Sequence, residues 1–311
     1  MFYEKIRDKF FINMTNKWAE HDKKVLSSQT LPENIIEVSD IPYIEDGNNG
    51  HLLDVYYPAD IHGPFPVIIN IHGGGFIYGD KAINKLFCYH LAKKGNLIFN
   101  LNYQLAKNDA KLPDQIRDII CALDWIGNNI DSYPADKNKI YLIGESAGGY
   151  LAVMAALISK SQRLQNLFNI TAKPNISINA LAVSCGFMDW SRRGFLYSGL
   201  RSLILDKGYK KQPYYKNLIF KNIPEITALP PVFLSANGDD MLNDMTFKFI
   251  ELLKKHNLEY HFVFLAKNKQ RKLGHVFNIF YPDWEETRKL NDTMLDFLMQ
   301  GTQNPRSANL E

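Results

Sequence analysis

The sequence predicts an α/β domain: a mostly parallel, twisted sheet flanked by helices and carrying a small cap. Three observations predict it. Short runs that are apolar throughout alternate with helical patterns along most of the chain, as expected of a parallel sheet buried on both faces. A glycine-rich turn around Ser146 joins one such run directly to an alanine-rich helical segment. One connection, residues 191–229, is much longer than an ordinary link between helix and strand.

Taken in order, the elements begin with a helix. Phe2, Ile6, Phe10, Met14 and Trp18 recur every fourth residue, which predicts a helix running to about residue 30. Residues 1–45 are therefore set apart as an N-terminal helical segment and a candidate part of the cap. Residues 46–301 form the main domain. Within it "DVYYP" (54–58) fits an additional, antiparallel edge strand. The buried strands are "PVIINIH" (66–72), "LIFNLNY" (97–103), "KIYLIG" (139–144), "INALAVSCG" (178–186), "PVFLSAN" (231–237) and "EYHFVFL" (259–265). Helical patterns such as "PDQIRDIICALDWIGNNI" and "DMTFKFIELLKKH" separate them. The insertion at 191–229 is basic, aromatic and irregular, and is read as a cap over the site. Residues 302–311 are read as a tail, with Leu310-Glu311 as the scar of an expression tag.

Composition narrows the function. At 311 residues the chain can bury a large core. A net charge of +3 with mixed signs supplies no basic stripe for nucleic acid. The densest basic run, "KNKQRK" (267–272), reads as a solvated loop. The first residues carry charges throughout, unlike a signal peptide, and no run approaches the ~20 apolar residues of a membrane span. Cys88, Cys121 and Cys185 are odd in number and sit in apolar surroundings. They are expected to be buried free thiols in a cytoplasmic protein, with no disulfide framework and no metal site.

The stretch "IYLIGESAGGYLAVMAAL" (140–157) raises the chemical question. Its G-x-S-x-G follows a strand and opens a helix, the context of a nucleophile elbow. The glycines tolerate a sharp turn, and the helix N-terminus adds partial positive charge where an oxyanion would form. A serine needs a base. His256 ends a helical pattern and His261 lies within a strand, whereas His275, in "KLGHVFNIF", follows the last predicted strand in a loop and is the chosen base. The orienting acid should come from "NGDDMLND", which offers Asp239, Asp240 and Asp244. The three glycines of "IHGGGFIYGD" (71–80) let backbone N–H groups approach a substrate carbonyl, and they lack the spacing of a phosphate-binding loop.

These blocks resemble, in order, those of the α/β-hydrolase fold, and within it the carboxylesterases of the hormone-sensitive-lipase type. "HGGGF" (72–76), "NYQLAKNDAKLPDQIRDIICALDWI", "GESAGG" (144–149), "DDMLND" and "GHVF" carry the resemblance, which runs over roughly residues 50–300. It implies Ser146 as nucleophile, Asp240 as acid and His275 as general base. It also implies the backbone N–H groups of Gly74, Gly75 and Ala147 as the oxyanion hole, with His72 and Glu145 supporting their loops. Gln104, Lys107 and Tyr150 depart from the family's usual arginine, proline and asparagine, and the loop before His275 is longer and more basic than usual.

The expected activity is hydrolysis of small, short-acyl carboxylic esters through an acyl-enzyme, with no cofactor and no metal. Amide or arylformamide hydrolysis on the same triad is the alternative, and a non-catalytic ligand receptor on the same fold is the reading from another class. The expected partner is a small-molecule ester, with no nucleic acid; the oligomeric state, a homodimer included, is left open.

Overall fold

Apolar runs rich in isoleucine and valine become the inner strands of one sheet in the computed structural model, which describes residues 2–106, 110–267, 270–300 and 308–310. Helix α1 (Phe2–Leu26) precedes two antiparallel strands, β1 (Ile35–Pro42) and β2 (Leu52–Pro58). Then come β3 (Phe65–Ile71), α2 (Lys85–Lys93), β4 (Leu97–Leu101), α3 (Leu112–Asn129), β5 (Ala135–Glu145), α4 (Ala147–Ser159) and α5 (Gln162–Leu167). The second half adds β6 (Ile178–Ser184), α6 (Phe195–Ile204), β7 (Val232–Asn237), α7 (Asn243–Lys255), β8 (Tyr260–Leu265), α8 (Phe277–Phe280), α9 (Glu285–Gln300) and β9 (Ala308–Leu310).

The strand order is β1-β2-β4-β3-β5-β6-β7-β8-β9. β2 pairs antiparallel with both β1 and β4, and the remaining pairs are parallel. Alternate side chains serve opposite layers. Val67, Ile69 and Ile71 pack in one core with Ile116, Leu123 and Leu151 of α3 and α4. Ile68, Tyr141 and Ile143 pack in the other with Leu91 of α2 and Leu290 of α9. Two-sided burial is why these strands lack polar alternation.

Both sheet edges differ from the sequence reading. Residues 35–42 were expected in the helical segment and "DVYYP" at the edge. Instead Ile35–Pro42 forms the edge strand, and β2 lies inside it. "IIEVSDIP" is mostly exposed or half-exposed, and its register shifts between Val38 and Ile41. Charged, irregular sequence is how edge strands avoid further pairing, and it erases the apolar signature. At the other edge Ala308–Leu310 pairs parallel with β8, so part of the expected tail joins the sheet. Glu311, the end of the expected tag scar, lies outside the described residues.

The long insertion forms α6 followed by single 3-10 turns between Tyr209 and Ala228. Helix α1 packs on it. A Cβ on Gly199 would meet Phe11 Cε2 at 2.9 Å, and Arg7 Nη1 donates to Ser202 Oγ at 3.0 Å. All three cysteines are free; Cys88 and Cys185 are buried, but Cys121 is only half-buried. Among the described residues no helix is long and apolar enough to cross a membrane.

Candidate active site

The carboxyl ends of β3, β5, β7 and β8 converge on one place, as the crossover rule for parallel sheets expects. β5 ends at Glu145 and α4 begins at Ala147, so Ser146 alone makes the turn, at φ 52 and ψ −117. That positive φ is strained for a residue with a side chain. The surrounding glycines exist for contact. A Cβ on Gly148 would sit 2.0 Å from the Ile71 carbonyl oxygen, and one on Gly144 would sit 2.5 Å from that of Gly148. Without them the first turn of α4 could not lie against the end of β3. The elbow is tied further by Ser146 N–H to the Ser184 carbonyl at 3.0 Å and by Phe187 N–H to the Ser146 carbonyl at 2.9 Å.

The chosen base and acid come together at this turn. His275 Nε2 lies 2.9 Å from Ser146 Oγ, and His275 Nδ1 lies 2.9 Å from Asp240 Oδ1. The Asp240 carboxylate also accepts the Leu242 N–H at 2.9 Å. Burial by itself would raise the Asp240 carboxyl, but the hydrogen bond and charge of His275 bring it below its ordinary value. A carboxylate there fixes the ring with its proton on Nδ1 and leaves Nε2 free to accept from the serine. The other candidates are occupied elsewhere. Asp239 accepts the Leu273 N–H at 3.3 Å, and Asp244 pairs with Arg192 at 2.7 Å. His256 caps the end of α7, and His261 stacks on Phe233.

The histidine loop is held by groups the sequence reading did not single out. Asn237 Nδ2 donates to the Gly274 carbonyl at 2.8 Å. Arg271 lies over the Trp284 ring at 4.3 Å and pairs with Glu286, and the described residues of the basic run at 267–272 are exposed. Asn268 and Lys269 of that run, and Lys107 of the earlier motif, lie outside the described residues.

The glycine block passes beside the serine: a Cβ on Gly73 would lie 3.1 Å from Ser146 Cβ. Gly74 has φ 98, and a Cβ there would strike the Tyr78 carbonyl oxygen at 1.9 Å. The loop is fixed from below. Glu145 Oε1 accepts the Gly73 N–H at 2.5 Å, and Oε2 accepts from Asn84 Nδ2 at 3.0 Å. His72 stacks on Tyr103 at 4.4 Å and donates from Nδ1 to the Gly73 carbonyl. Burial pushes this imidazole down to about 4, so it is neutral. The Tyr103 hydroxyl donates to the His72 carbonyl at 2.9 Å. Among the described residues the N–H groups of Gly74, Gly75 and Ala147 have no backbone acceptor, leaving them available to an oxyanion.

Aromatic groups pack behind this site. A Cβ on Gly75 would meet Trp18 Cη2 of α1 at 3.3 Å. Tyr150 packs against Phe76, Trp190 and Phe220, and its hydroxyl donates to the Leu218 carbonyl at 2.9 Å. The tyrosine that replaces a usual asparagine thus anchors the insertion. Gln104, in place of arginine, donates its N–H to Asp118, which also faces His51 at 3.3 Å. A cavity of about 610 Å³ opens elsewhere, lined by Val25, Leu86, His90, Phe280 and Trp284, and no triad residue lines it. Cys185, Asp240 and His275 place donor atoms within 4.8 Å of one another, as metal ligands would, but the Asp240–His275 hydrogen bond already engages two of those donor groups.

Glu145 generates a test. Full burial pushes its carboxyl from 4.5 up to about 7, against the opposing pull of the Gly73 and Asn84 donors. A raised folded-state value gives stability that is complete below 4.5 and is lost as pH rises through about 7. Glu145→Gln stays neutral at every pH. Thermal melts between pH 4.5 and 7.5 should therefore show the wild type losing stability relative to E145Q as pH rises. Parallel melting curves would mean that Glu145 ionises freely.

The chain resembles known proteins at both levels. The BD-FAE family model matches residues 53–201. Esterase LipC of Mycobacterium tuberculosis is 31% identical over 197 residues, covering 60% of this chain and 47% of the relative. Versiconal hemiacetal acetate esterase of Dothistroma septosporum is 35% identical over 114 residues, covering 36% of this chain and 34% of the relative. The chain thus spans about half or less of the length of these curated relatives. Among solved structures, Esterase B of Lactobacillus rhamnosis superposes with a TM-score of 0.88 at 26% identity, over 97% of this chain and 98% of that one. A bacterial heroin esterase shares the fold at a TM-score of 0.72 and 19% identity, over 94% of this chain and 92% of that one. Sheet order, motif order and these relatives agree: the chain has the α/β-hydrolase fold and is similar to esterases built on it.

Proposed function

We propose that the protein is a serine carboxylesterase acting on small, short-acyl esters. The observation that carries the reading is the continuous relay from Ser146 Oγ through His275 to Asp240, with both links at 2.9 Å, beside a loop of free backbone N–H groups. Ser146 attacks the ester carbonyl while His275 Nε2 takes the hydroxyl proton. The resulting oxyanion is met by the N–H groups of Gly74, Gly75 and Ala147, at the N-terminus of α4. His275 then protonates the leaving alcohol, and water activated by the same imidazole releases the acid.

Substitutions test the roles. Ser146→Ala and His275→Ala should each abolish p-nitrophenyl acetate hydrolysis while the fold, followed by circular dichroism, persists. Asp240→Asn should lower kcat by about 10⁴ through the wrong histidine tautomer, with Asp239→Asn mild by comparison. Retention of more than about a hundredth of wild-type turnover by S146A would end the assignment, because losing a nucleophile costs far more.

In this reading α1 and residues 191–229 form the cap that closes the pocket. Trp18 beside Gly75 gives it an apolar wall, backed by the buried Phe76, Tyr150 and Trp190. The Esterase B likeness supports a short acyl chain, since that protein was solved with a C4-C4 tributyrin phosphonate. Each methylene buried should raise kcat/KM by about fourfold, from roughly 0.8 kcal/mol per group, until the pocket is full. Measured on p-nitrophenyl esters from acetate to palmitate, kcat/KM should peak between two and about six carbons, the span over which a shallow pocket keeps gaining apolar contact. A peak at about ten carbons or beyond, with activation at an emulsion interface, would make the cap a lipase lid instead.

A further inference from the structure

Cys185 follows β6 directly, in left-handed backbone at φ 50, with its N–H held by the Ser235 carbonyl at 2.8 Å. The position brings a buried thiol to the acid of the relay. Its Sγ, a carboxylate oxygen of Asp240 and a ring nitrogen of His275 lie within 4.8 Å of one another. Asp240 divides its acceptors unevenly. Oδ1 takes both the His275 and Leu242 N–H groups, whereas Oδ2 is buried and has no hydrogen-bond partner among the described residues. The carboxylate is fully enclosed, so water does not serve it at its surface, and a buried acceptor without a donor is costly. Neighbouring groups are committed: Asn237 Nδ2 to the Gly274 carbonyl and, at 3.9 Å, to Cys185 Sγ itself, Asp239 to the Leu273 N–H, and Glu145 to Gly73 and Asn84.

We infer that Cys185 is a positioning residue, its S–H directed at Asp240 Oδ2, and that through Asp240 it tunes the basicity of His275. The inference rests on the triad reading above. A thiol is a weak donor, but it serves as one only while protonated. Burial, then the charge of Asp240, raises this thiol well above its ordinary value, which keeps the proton in place at neutral pH. The thiol in turn joins His275 in favouring the carboxylate form of Asp240. With its proton removed, the unshared charge of Asp240 would fall more heavily on the imidazolium. The group would hold its proton to higher pH, and the ring would be less firmly oriented.

The test compares Cys185→Ala with Cys185→Ser. Neither is β-branched, so both meet the positive φ on equal terms, which valine would not. C185A should lower kcat about fivefold with KM little changed, the scale of one hydrogen bond. Its acid limb of kcat/KM, which follows the free-enzyme histidine, should move to higher pH. C185S restores a donor and should recover most of the rate and the wild-type limb. If C185A fails to fold, Cys185→Gly removes the same proton and accepts the left-handed backbone without strain. NMR titration of the His275 imidazole in the same proteins reads the shift without any substrate. Absence of esterase turnover in the wild type would therefore count against the hydrolase reading alone. Identical rates and imidazole titrations in C185A and the wild type would overturn the positioning role. So would equal impairment in C185A and C185S, because that pattern belongs to packing.

Discussion

The site depends on one close contact, the first turn of α4 against the last carbonyls of β3. A Cβ on Gly148 would stand 2.0 Å from the Ile71 oxygen and 2.6 Å from that of His72, so the approach belongs to glycine alone. This contact sets where the chain turns at Ser146. It also brings the glycine loop after β3 level with the serine, because the loop begins at the carbonyls on which the helix rests. Ser146 and the glycine amides are thus placed by one packing event. Neither depends on a flexible side chain.

Buried polar groups then lock what packing has placed. Glu145 reaches under the elbow to the Gly73 amide and to Asn84, joining the two halves of the site through a carboxyl that burial makes reluctant to ionise. Tyr103 and His72 hold the same loop from the side. On the far side, Asn237 and Asp239 fasten the loop that carries His275. A relay with links of 2.9 Å needs both fastenings, since a misplacement of about 1 Å costs orders of magnitude in rate. The insertion at 191–229 joins this frame through Tyr150 of α4, whose hydroxyl donates to the Leu218 carbonyl, and α1 joins it through Trp18 beside Gly75.

Much of this was legible in the sequence, for a physical reason. Two-sided burial forces apolar strands, and the elbow and oxyanion loop force glycines, so both leave unmistakable letters. Ser146 and His275 followed from which segments end strands, and strand ends are where apolar runs stop; among Asp239, Asp240 and Asp244 only the family resemblance pointed to Asp240. What the sequence did not disclose is what obeys no such constraint. Strand β1 is exposed or half-exposed and carries Glu37 and Asp40, so Ile35–Pro42 lacked an apolar strand signature and was grouped with the helical segment. Asn84, Asn237 and Tyr103 are single polar letters whose roles appear only when distant segments meet. Asn237, as the last residue of an apolar strand just before the acid, is the one that position could have flagged. Trp18 was legible as one face of a helix, but not as a neighbour of Gly75, because that contact joins segments far apart in sequence.

The central claim is that these contacts assemble one activated serine. It is tested most directly by treating the native protein with a fluorophosphonate and mapping the adduct by intact and peptide mass. The account predicts a single equivalent, on the peptide containing Ser146, and no adduct on the His275→Ala variant, whose serine lacks its base. Labelling at another residue, or an unlabelled wild type, would contradict it.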